Sequence, residues 1–98
     1  MTVAFSQAAR TDLSNILRRI HADKPLAALR MREEFFKKFS LLEFQPGIGT
    51  LGEDGETREL CVKGSYRIVY RNEGAVLWIV RVDHTARQRP GLESAGAE

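Results

Sequence analysis

The stretch from Arg58 to His84 reads RELCVKGSYRIVYRNEGAVLWIVRVDH, and it decides the fold of this 98-residue chain. Residues that favour strands fall in three runs within it: Glu59–Val62, Tyr66–Arg71 and Val76–Val82. Each interruption contains a glycine, which adopts a positive φ angle without steric cost. Connections this short join only antiparallel neighbours, so the stretch predicts a three-stranded antiparallel meander.

The middle strand of this meander has two chemically different faces, because successive side chains alternate across a strand. One face holds Tyr66, Ile68 and Tyr70, and the opposite face holds Arg67, Val69 and Arg71. The first face is expected to pack against helices. The second is expected to present arginine.

Two helices are predicted before the meander. Ser6 is placed to cap the first helix, which runs from Gln7 to about Ala22 with its apolar residues at helical spacing. Pro25 starts the second helix, since a proline at a first helical position loses no hydrogen bond. The second helix carries an apolar stripe, expected to be core: Ala28, Met31, Phe35, Phe39 and Leu42. So short a connection predicts an antiparallel helical hairpin.

The other segments complete one domain over residues 1–98. Thr2–Phe5 alternates and predicts an edge strand, while Gln45–Thr57 contains four glycines and predicts a flexible loop. That loop is acidic and lacks a lysine-serine pair, so it is not a phosphate-binding loop. Residues 91–98 are predicted to be a flexible tail. The fold class is therefore α+β: a helical hairpin packed on an antiparallel sheet, in the order β-α-α-β-β-β.

Charge is distributed unevenly along the chain, although the net charge is only +2. Residues 58–89 hold seven Lys or Arg and three Asp or Glu, a local +4, and the remainder is −2. The half that forms the meander is thus the basic half, which points to an anionic partner there.

A cytoplasmic location is expected. The N-terminus lacks a signal peptide, and the longest apolar run, Ala75–Val80, is too short to span a bilayer. The single cysteine, Cys61, excludes an internal disulfide and fits a reducing compartment. Because it lies within a predicted strand, it is expected to be buried.

The candidate functional residues are arginines and one histidine: Arg58, Arg67, Arg71, Arg81, His84, Arg87 and Arg89. Three interpretations of this basic set stay open: a solvated surface, a site for an acidic protein, and a nucleic-acid site. A nucleic-acid site could bind phosphates or cleave RNA, and for cleavage His84 is the group for proton transfer and Arg67 stabilises charge on phosphorus. One cysteine and two separated histidines do not make a metal site, and no cofactor is expected.

Six segments, in this order, resemble the ParE/RelE superfamily over about residues 3–90. They are SQAARTDLSNI (6–16), KPLAALRMREEF (24–35), PGIG (46–49), REL (58–60), YRIVY (66–70) and VRVDH (80–84). The members of this superfamily are toxins of type II toxin–antitoxin modules. The chain is more similar to the ParE branch than to the RelE branch, whose members are ribosome-dependent mRNA endonucleases.

Some residues typical of the RelE branch are present in this sequence and others are absent. Arg67 matches the transition-state arginine of those nucleases, and Arg58 matches a first basic position. Leu60 stands where a second basic residue is expected, and no tyrosine follows His84. The nuclease set is therefore incomplete.

The resemblance to ParE implies a toxin that inhibits DNA gyrase without catalysis. It also implies neutralisation by a ParD-like antitoxin and DNA binding only through the antitoxin complex. The antitoxin is expected to bind as an amphipathic helix beside the helical hairpin and to continue across the basic face of the sheet. Residues expected to bind antitoxin or target are Arg67, Arg71, Arg81, His84, Arg87 and Arg89. The alternative is a RelE-type nuclease that uses Arg58, Arg67 and His84.

Overall fold

Two helices lie between a first strand and four further strands in the structure, a computed structural model that describes residues 1–86. The elements are β1 (Thr2–Phe5), α1 (Gln7–Asp23), α2 (Pro25–Phe44), β2 (Thr50–Leu51), β3 (Arg58–Val62), β4 (Tyr66–Glu73) and β5 (Val76–His84). The predicted α+β fold, with the helical hairpin ahead of the meander, is confirmed. The tail predicted at residues 91–98 lies outside the described residues.

The five strands form one sheet in the order β1-β5-β4-β3-β2. Strands β3, β4 and β5 make the predicted antiparallel meander. The prediction of a wholly antiparallel sheet is wrong, because β1 pairs with β5 in parallel, Val3 opposite Leu77. A tight turn forces antiparallel pairing, but β1 is followed by the helical hairpin, a long connection that also permits parallel pairing.

The segment between α2 and β3 contains a strand that was not predicted. Leu51 of β2 pairs with Arg58 of β3, and the Gly52 amide donates to the Thr57 carbonyl at 2.7 Å. Two residues of strand fall below the length at which alternation gives a sequence signal. The loop therefore extends the sheet by one short edge strand.

The start of α1 is tied to β5 through Ser6. Its hydroxyl accepts a hydrogen bond from the Ala9 amide at 3.0 Å, which confirms the predicted N-cap. The same hydroxyl donates to the Val80 carbonyl at 2.7 Å. One side chain thus caps the helix and also fixes it against the last strand.

The core lies between the helical hairpin and one face of the sheet. Phe35 stacks on Phe39 with ring centroids 6.2 Å apart and packs against Tyr66 at 5.7 Å. The core cluster consists of Ala9, Phe35, Phe39, Leu42, Val62, Ile68, Tyr70, Leu77, Ile79 and Val82. The predicted stripe of α2 is therefore confirmed as core.

Cys61 does not belong to this core, so the prediction that it is buried is wrong. It pairs with Arg67, which places it on the strand face that points away from the helices. The strand alternates, and Cys61 occupies the position between the inward-facing Leu60 and Val62.

No helix within residues 1–86 is long and apolar enough to cross a membrane.

Candidate functional site

A β-bulge in β5 creates the arrangement of charges on the outer face of the sheet. Tyr70 pairs with Ile79 and Val69 pairs with Arg81, so Val80 has no partner in the register. The extra residue of a bulge shifts every later side chain to the other face. Without it, the alternation that buries Ile79 would also turn Arg81 towards the helices.

The bulge brings two arginines to one carboxylate. Arg67 lies directly opposite Asp83, and its Nε is 2.8 Å from Asp83 Oδ1. The Nε of Arg81 is 3.2 Å from Asp83 Oδ2. The side chains of Arg67 and Asp83 are each only 11% exposed. Arg67 is therefore a buried member of an ion-pair network, whereas the sequence predicted an arginine presented to a partner.

Arg71 and Arg81 are the more accessible arginines on this outer face. The Arg71 side chain is 45% exposed and pairs with Glu73 at 2.6 Å. Trp78 lies opposite Arg71 in the register and is half-buried. The outer face thus offers two guanidinium groups at its surface beside an indole ring.

His84 lies at the far end of β5, where α1 and the sheet enclose a polar cleft. Its ring meets Tyr66 edge-on with centroids 4.9 Å apart, and its Nδ1 accepts a hydrogen bond from the Ala86 amide at 3.1 Å. The cleft has a volume of 320 Å³ and is lined by Asp12, Asn15, Ile16, Arg19, Tyr66, Val82, Asp83 and His84. Asp12 is already engaged, because it accepts from the Val82 amide at 3.0 Å.

Arg58 lies away from both Arg67 and His84. It pairs with Tyr70, and its guanidinium donates to the Gly49 carbonyl at 2.8 Å. His84 pairs with Tyr66, four residues earlier on β4, so Arg58 and His84 are on strands either side of β4 and are offset by about 13 Å along the strand direction. Arg67 points to the opposite face, although its Nη2 donates to the backbone carbonyl of His84 at 3.4 Å. The structure does not bring together the three residues of the nuclease alternative.

Tyr70 completes the contact between the sheet and the loop. Its hydroxyl accepts a hydrogen bond from the buried Gly49 amide at 2.8 Å. Burial raises the pKa of Tyr70, although the Gly49 amide and the charge of Arg58 act in the other direction. Gly49 has no room for a side chain, since a Cβ there would lie 2.7 Å from the Tyr70 hydroxyl. Arg58 and Tyr70 therefore hold the loop backbone from two sides.

An apolar groove between α1 and α2 is the second candidate site. It is lined by Phe5, Arg10, Leu13, Ser14, Leu17, Arg32 and Phe36. The Arg32 guanidinium lies over the exposed Phe36 ring at 4.8 Å, so the charge stays at the rim above apolar carbon. Neither Arg10 nor Arg32 was singled out from the sequence, because their position at a groove depends on how the two helices pack.

Two of the predicted site residues, Arg87 and Arg89, lie outside the described residues. Within residues 1–86 no group of histidine, cysteine and carboxylate side chains is arranged to hold a metal ion.

The sequence and the architecture are both similar to those of known proteins. A family model described as the ParE toxin of the type II toxin–antitoxin system, parDE, matches residues 3–89. The structure is similar to a chain of the chromosomal ParDE TA system from P. aeruginosa, with a TM-score of 0.75 and 22% identity over 86% of this chain and 95% of that chain.

The second similar structure is the solution structure of the conserved hypothetical protein HP0894 from Helicobacter pylori. Its TM-score is 0.51 at 12% identity, over 89% of this chain and 97% of that one. No curated protein sequence matches significantly. At these identities the two structures show a shared fold. Because the family model spans nearly the whole chain, the chain belongs to the ParE toxin family of type II toxin–antitoxin systems.

Proposed function

We propose that this ParE-family toxin inhibits DNA gyrase by binding and is neutralised by a ParD-like antitoxin whose acidic amphipathic helix occupies the groove between α1 and α2. The proposed antitoxin binding rests on the groove between α1 and α2. Its floor is apolar and two arginines stand at its rim. An amphipathic helix buries its apolar face in a groove of this kind and leaves its charged flanks at the edges.

The rim predicts the charge of the antitoxin helix. None of the ion pairs within residues 1–86 includes Arg10 or Arg32, so neither guanidinium group is neutralised by a carboxylate there. Complementary charge at a rim speeds association more than it adds affinity. The association rate with the antitoxin is therefore expected to fall as salt concentration rises, and a rate that did not change with salt would contradict an acidic helix.

The antitoxin segment that follows the helix is proposed to reach the outer face of the sheet. Phe5 of β1 lines the groove, and β1 is an edge of the sheet, so a chain leaving the groove passes this edge. Its acidic side chains would meet Arg71 and Arg81. Arg67 is a poorer partner because Asp83 already neutralises it in a buried pair.

Gyrase inhibition without catalysis is favoured over RNA cleavage by the placement of the basic residues. Cleavage needs proton transfer and charge stabilisation around one phosphate. Arg58 is bonded to Gly49 in the loop, and Arg67, although its guanidinium donates to the His84 carbonyl, points to the face opposite the His84 ring. These positions support a toxin that acts through binding.

The target is tested by two assays on the purified toxin. We expect inhibition of DNA supercoiling by gyrase, and intact mRNA on toxin-treated ribosomes. His84→Ala serves as the probe of catalysis, because His84 is exposed and lies outside the buried core cluster. Codon-dependent mRNA cleavage that disappears in His84→Ala would assign the chain to the RelE-type nucleases.

The antitoxin site is tested with a pair of matched substitutions on α2. Phe36→Glu places a carboxylate in the groove, whereas Leu29→Glu places one at an exposed apolar position that does not line it. We expect Phe36→Glu to weaken antitoxin binding by about a hundredfold, typical of an apolar anchor. Equal affinity of the two variants would place the antitoxin elsewhere.

A further inference from the structure

The segment that joins α2 to β3 carries a large share of the exposed apolar side chains. Three of the seven exposed large apolar residues of residues 1–86 lie in it: Phe44, Ile48 and Leu51. Phe44 is 81% exposed, although it ends a helix whose inner face is buried. Met1 belongs to the group because its amine donates to the Glu43 carbonyl at 3.4 Å. We name Met1 and residues 43–57 the loop end.

The loop end is also the acidic part of a basic protein. Residues 43–57 contain four carboxylates (Glu43, Glu53, Asp54 and Glu56) and no Lys or Arg, a local charge of −4. Since the whole chain carries +2, the side chains outside this segment sum to +6. The neighbouring cation, Arg58, donates to the Gly49 carbonyl. The exposed apolar residues of the loop end therefore stand among negative charges.

The segment is held in a fixed shape by hydrogen bonds. Gly49 is bonded through its amide to Tyr70 and through its carbonyl to Arg58. Asp54 accepts from the amides of Thr57 and Glu56, and these bonds lower the pKa of its carboxyl, with the Thr57 amide as the largest cause. A surface ordered before binding loses less conformational entropy when a partner docks.

We propose that the loop end is a second protein-binding surface, which takes a basic amphipathic segment of a partner other than the antitoxin. The groove between α1 and α2 has a basic rim and suits an acidic helix, whereas the loop end has the opposite charge. An acidic antitoxin helix is repelled there. A second copy of this chain is disfavoured too, since a two-fold contact would set one −4 segment against another. The inference does not depend on the identity of the toxin's target.

The test uses two short synthetic amphipathic helices with the same leucine face, one carrying lysines and the other glutamates on the polar face. Backbone amide shifts of the isotope-labelled full chain report where each peptide binds. We expect the lysine peptide to shift residues 43–57 and the glutamate peptide to shift residues lining the helix groove. A lysine peptide of the same composition but scrambled order is expected to bind about tenfold more weakly, because its leucines no longer form one face.

Two sets of variants separate the apolar and the charged contributions. Phe44→Ser with Leu51→Ser removes exposed apolar side chains, and Leu26→Ser with Leu29→Ser is the matched control elsewhere on the surface. Glu53→Gln with Glu56→Gln removes charge while leaving Asp54 to order the loop. Each loop-end pair is expected to weaken the lysine peptide about tenfold or more, and the control pair to leave it unchanged.

Three results would overturn the proposal. They are lysine-peptide shifts centred outside residues 43–57, equal affinity of the scrambled peptide, and binding that survives both loop-end pairs. Failure of the glutamate peptide to enter the groove would instead count against the antitoxin site alone. Concentration-dependent dimerisation of the free chain through residues 43–57 would replace the basic partner by a second copy.

Discussion

The two faces of the β-sheet are stabilised by different forces, although the same strand contributes to both. On the inner face Ile68 and Tyr70 of β4 are fully buried, in the same core cluster as Phe35 and Leu42 of α2. On the outer face Arg67 of the same strand is buried as an ion. Apolar contacts are tolerant of exact position, but an ion pair requires two side chains to meet in one geometry. The inner face of β4 therefore follows from local pattern, whereas the ion pairs of the outer face depend on register.

The bulge at Val80 shows how the ion pairs of the outer face depend on register. A regular hairpin counted from Glu73 opposite Val76 would place Arg67 opposite Val82 and turn Asp83 to the inner face. The observed shift places Val82 in the core instead and leaves Asp83 between two arginines. The Ser6 hydroxyl donates to the carbonyl of Val80. The cap of the first helix thus stabilises the feature that arranges the outer face.

The largest effect is expected on the inner face. Phe39→Ala removes a buried ring that meets both Phe5 and Phe35, and it is expected to lower the free energy of unfolding by about 3–5 kcal/mol. Urea denaturation followed by circular dichroism measures it. Leu26→Ala is the control, because Leu26 is 66% exposed, and it is expected to change stability by less than about 0.5 kcal/mol. A loss for Phe39→Ala no larger than that of the control would show that this face is not the core.

A smaller effect is expected when the outer face loses its central carboxylate. Asp83→Ala leaves Arg67 and Arg81 facing each other without the group they share, and removing one partner of a buried pair destabilises by about 3 kcal/mol. The same denaturation experiment measures it. If the double variant Arg67→Met with Asp83→Leu recovered the free energy of unfolding lost in Asp83→Ala, the Arg67–Asp83 ion pair would arrange the side chains of the outer face and would not be required for folding. A loss for Asp83→Ala near zero would remove the contrast between a buried and an exposed ion pair on this face.

Sequence reasoning succeeded where neighbours along the chain decide the structure. Ser6 as a cap, Pro25 as the start of α2 and the alternation of β4 are each set within a few residues. It failed where pairing between distant segments decides. The parallel direction of β1, the strand β2 and the bulge at Val80 have no local signal, because each is a choice among registers.

The candidate site also combines residues that local sequence identifies with residues that only the pairing of distant segments brings together. The sequence identified the arginines of the outer face but not Asp83, which reaches them only through the bulge. It also missed Arg10 and Arg32, which line the groove because of how α1 packs on α2. Phe44 is apolar but lies off the apolar stripe of α2, and this position just before Gln45–Thr57 was the available sign of a surface at the loop end.

An intermediate effect is expected at the contact between Tyr70 of the inner face and Gly49 of the loop. Tyr70→Phe leaves the buried Gly49 amide without its acceptor, which is expected to lower the free energy of unfolding by about 1–3 kcal/mol. The effect also depends on pH. Burial raises the pKa of Tyr70 above its ordinary value, so above that ordinary value the unfolded chain loses a proton that the folded chain keeps. The stabilisation by Tyr70 is therefore complete below the ordinary pKa and falls as pH rises towards the folded one.

Denaturation at several alkaline pH values measures this slope in both proteins. The wild type is expected to lose stability more steeply than Tyr70→Phe, so that the two curves converge as pH rises. Curves that stayed parallel would show that the Tyr70 hydroxyl has the same proton affinity in the folded and unfolded chain. In that case the effect of burial on the pKa of Tyr70 would be cancelled by the Gly49 amide and Arg58, which act in the opposite direction.

The smallest effect on stability is expected at the exposed pair of the outer face. Arg71 and Glu73 are in contact at 2.6 Å, yet both side chains are about half exposed, and such pairs contribute about 0.2–1 kcal/mol. Glu73→Ala should therefore barely change the unfolding curve, in contrast to Asp83→Ala.

The effect of Glu73→Ala should appear in binding instead, because it leaves the Arg71 charge uncompensated at the surface. An acidic antitoxin should then associate faster with Glu73→Ala than with wild type, and more slowly with Arg71→Ala, with both differences shrinking as salt is added. Stopped-flow association at two salt concentrations measures this, and a rate unchanged in both variants would place the antitoxin segment away from Arg71.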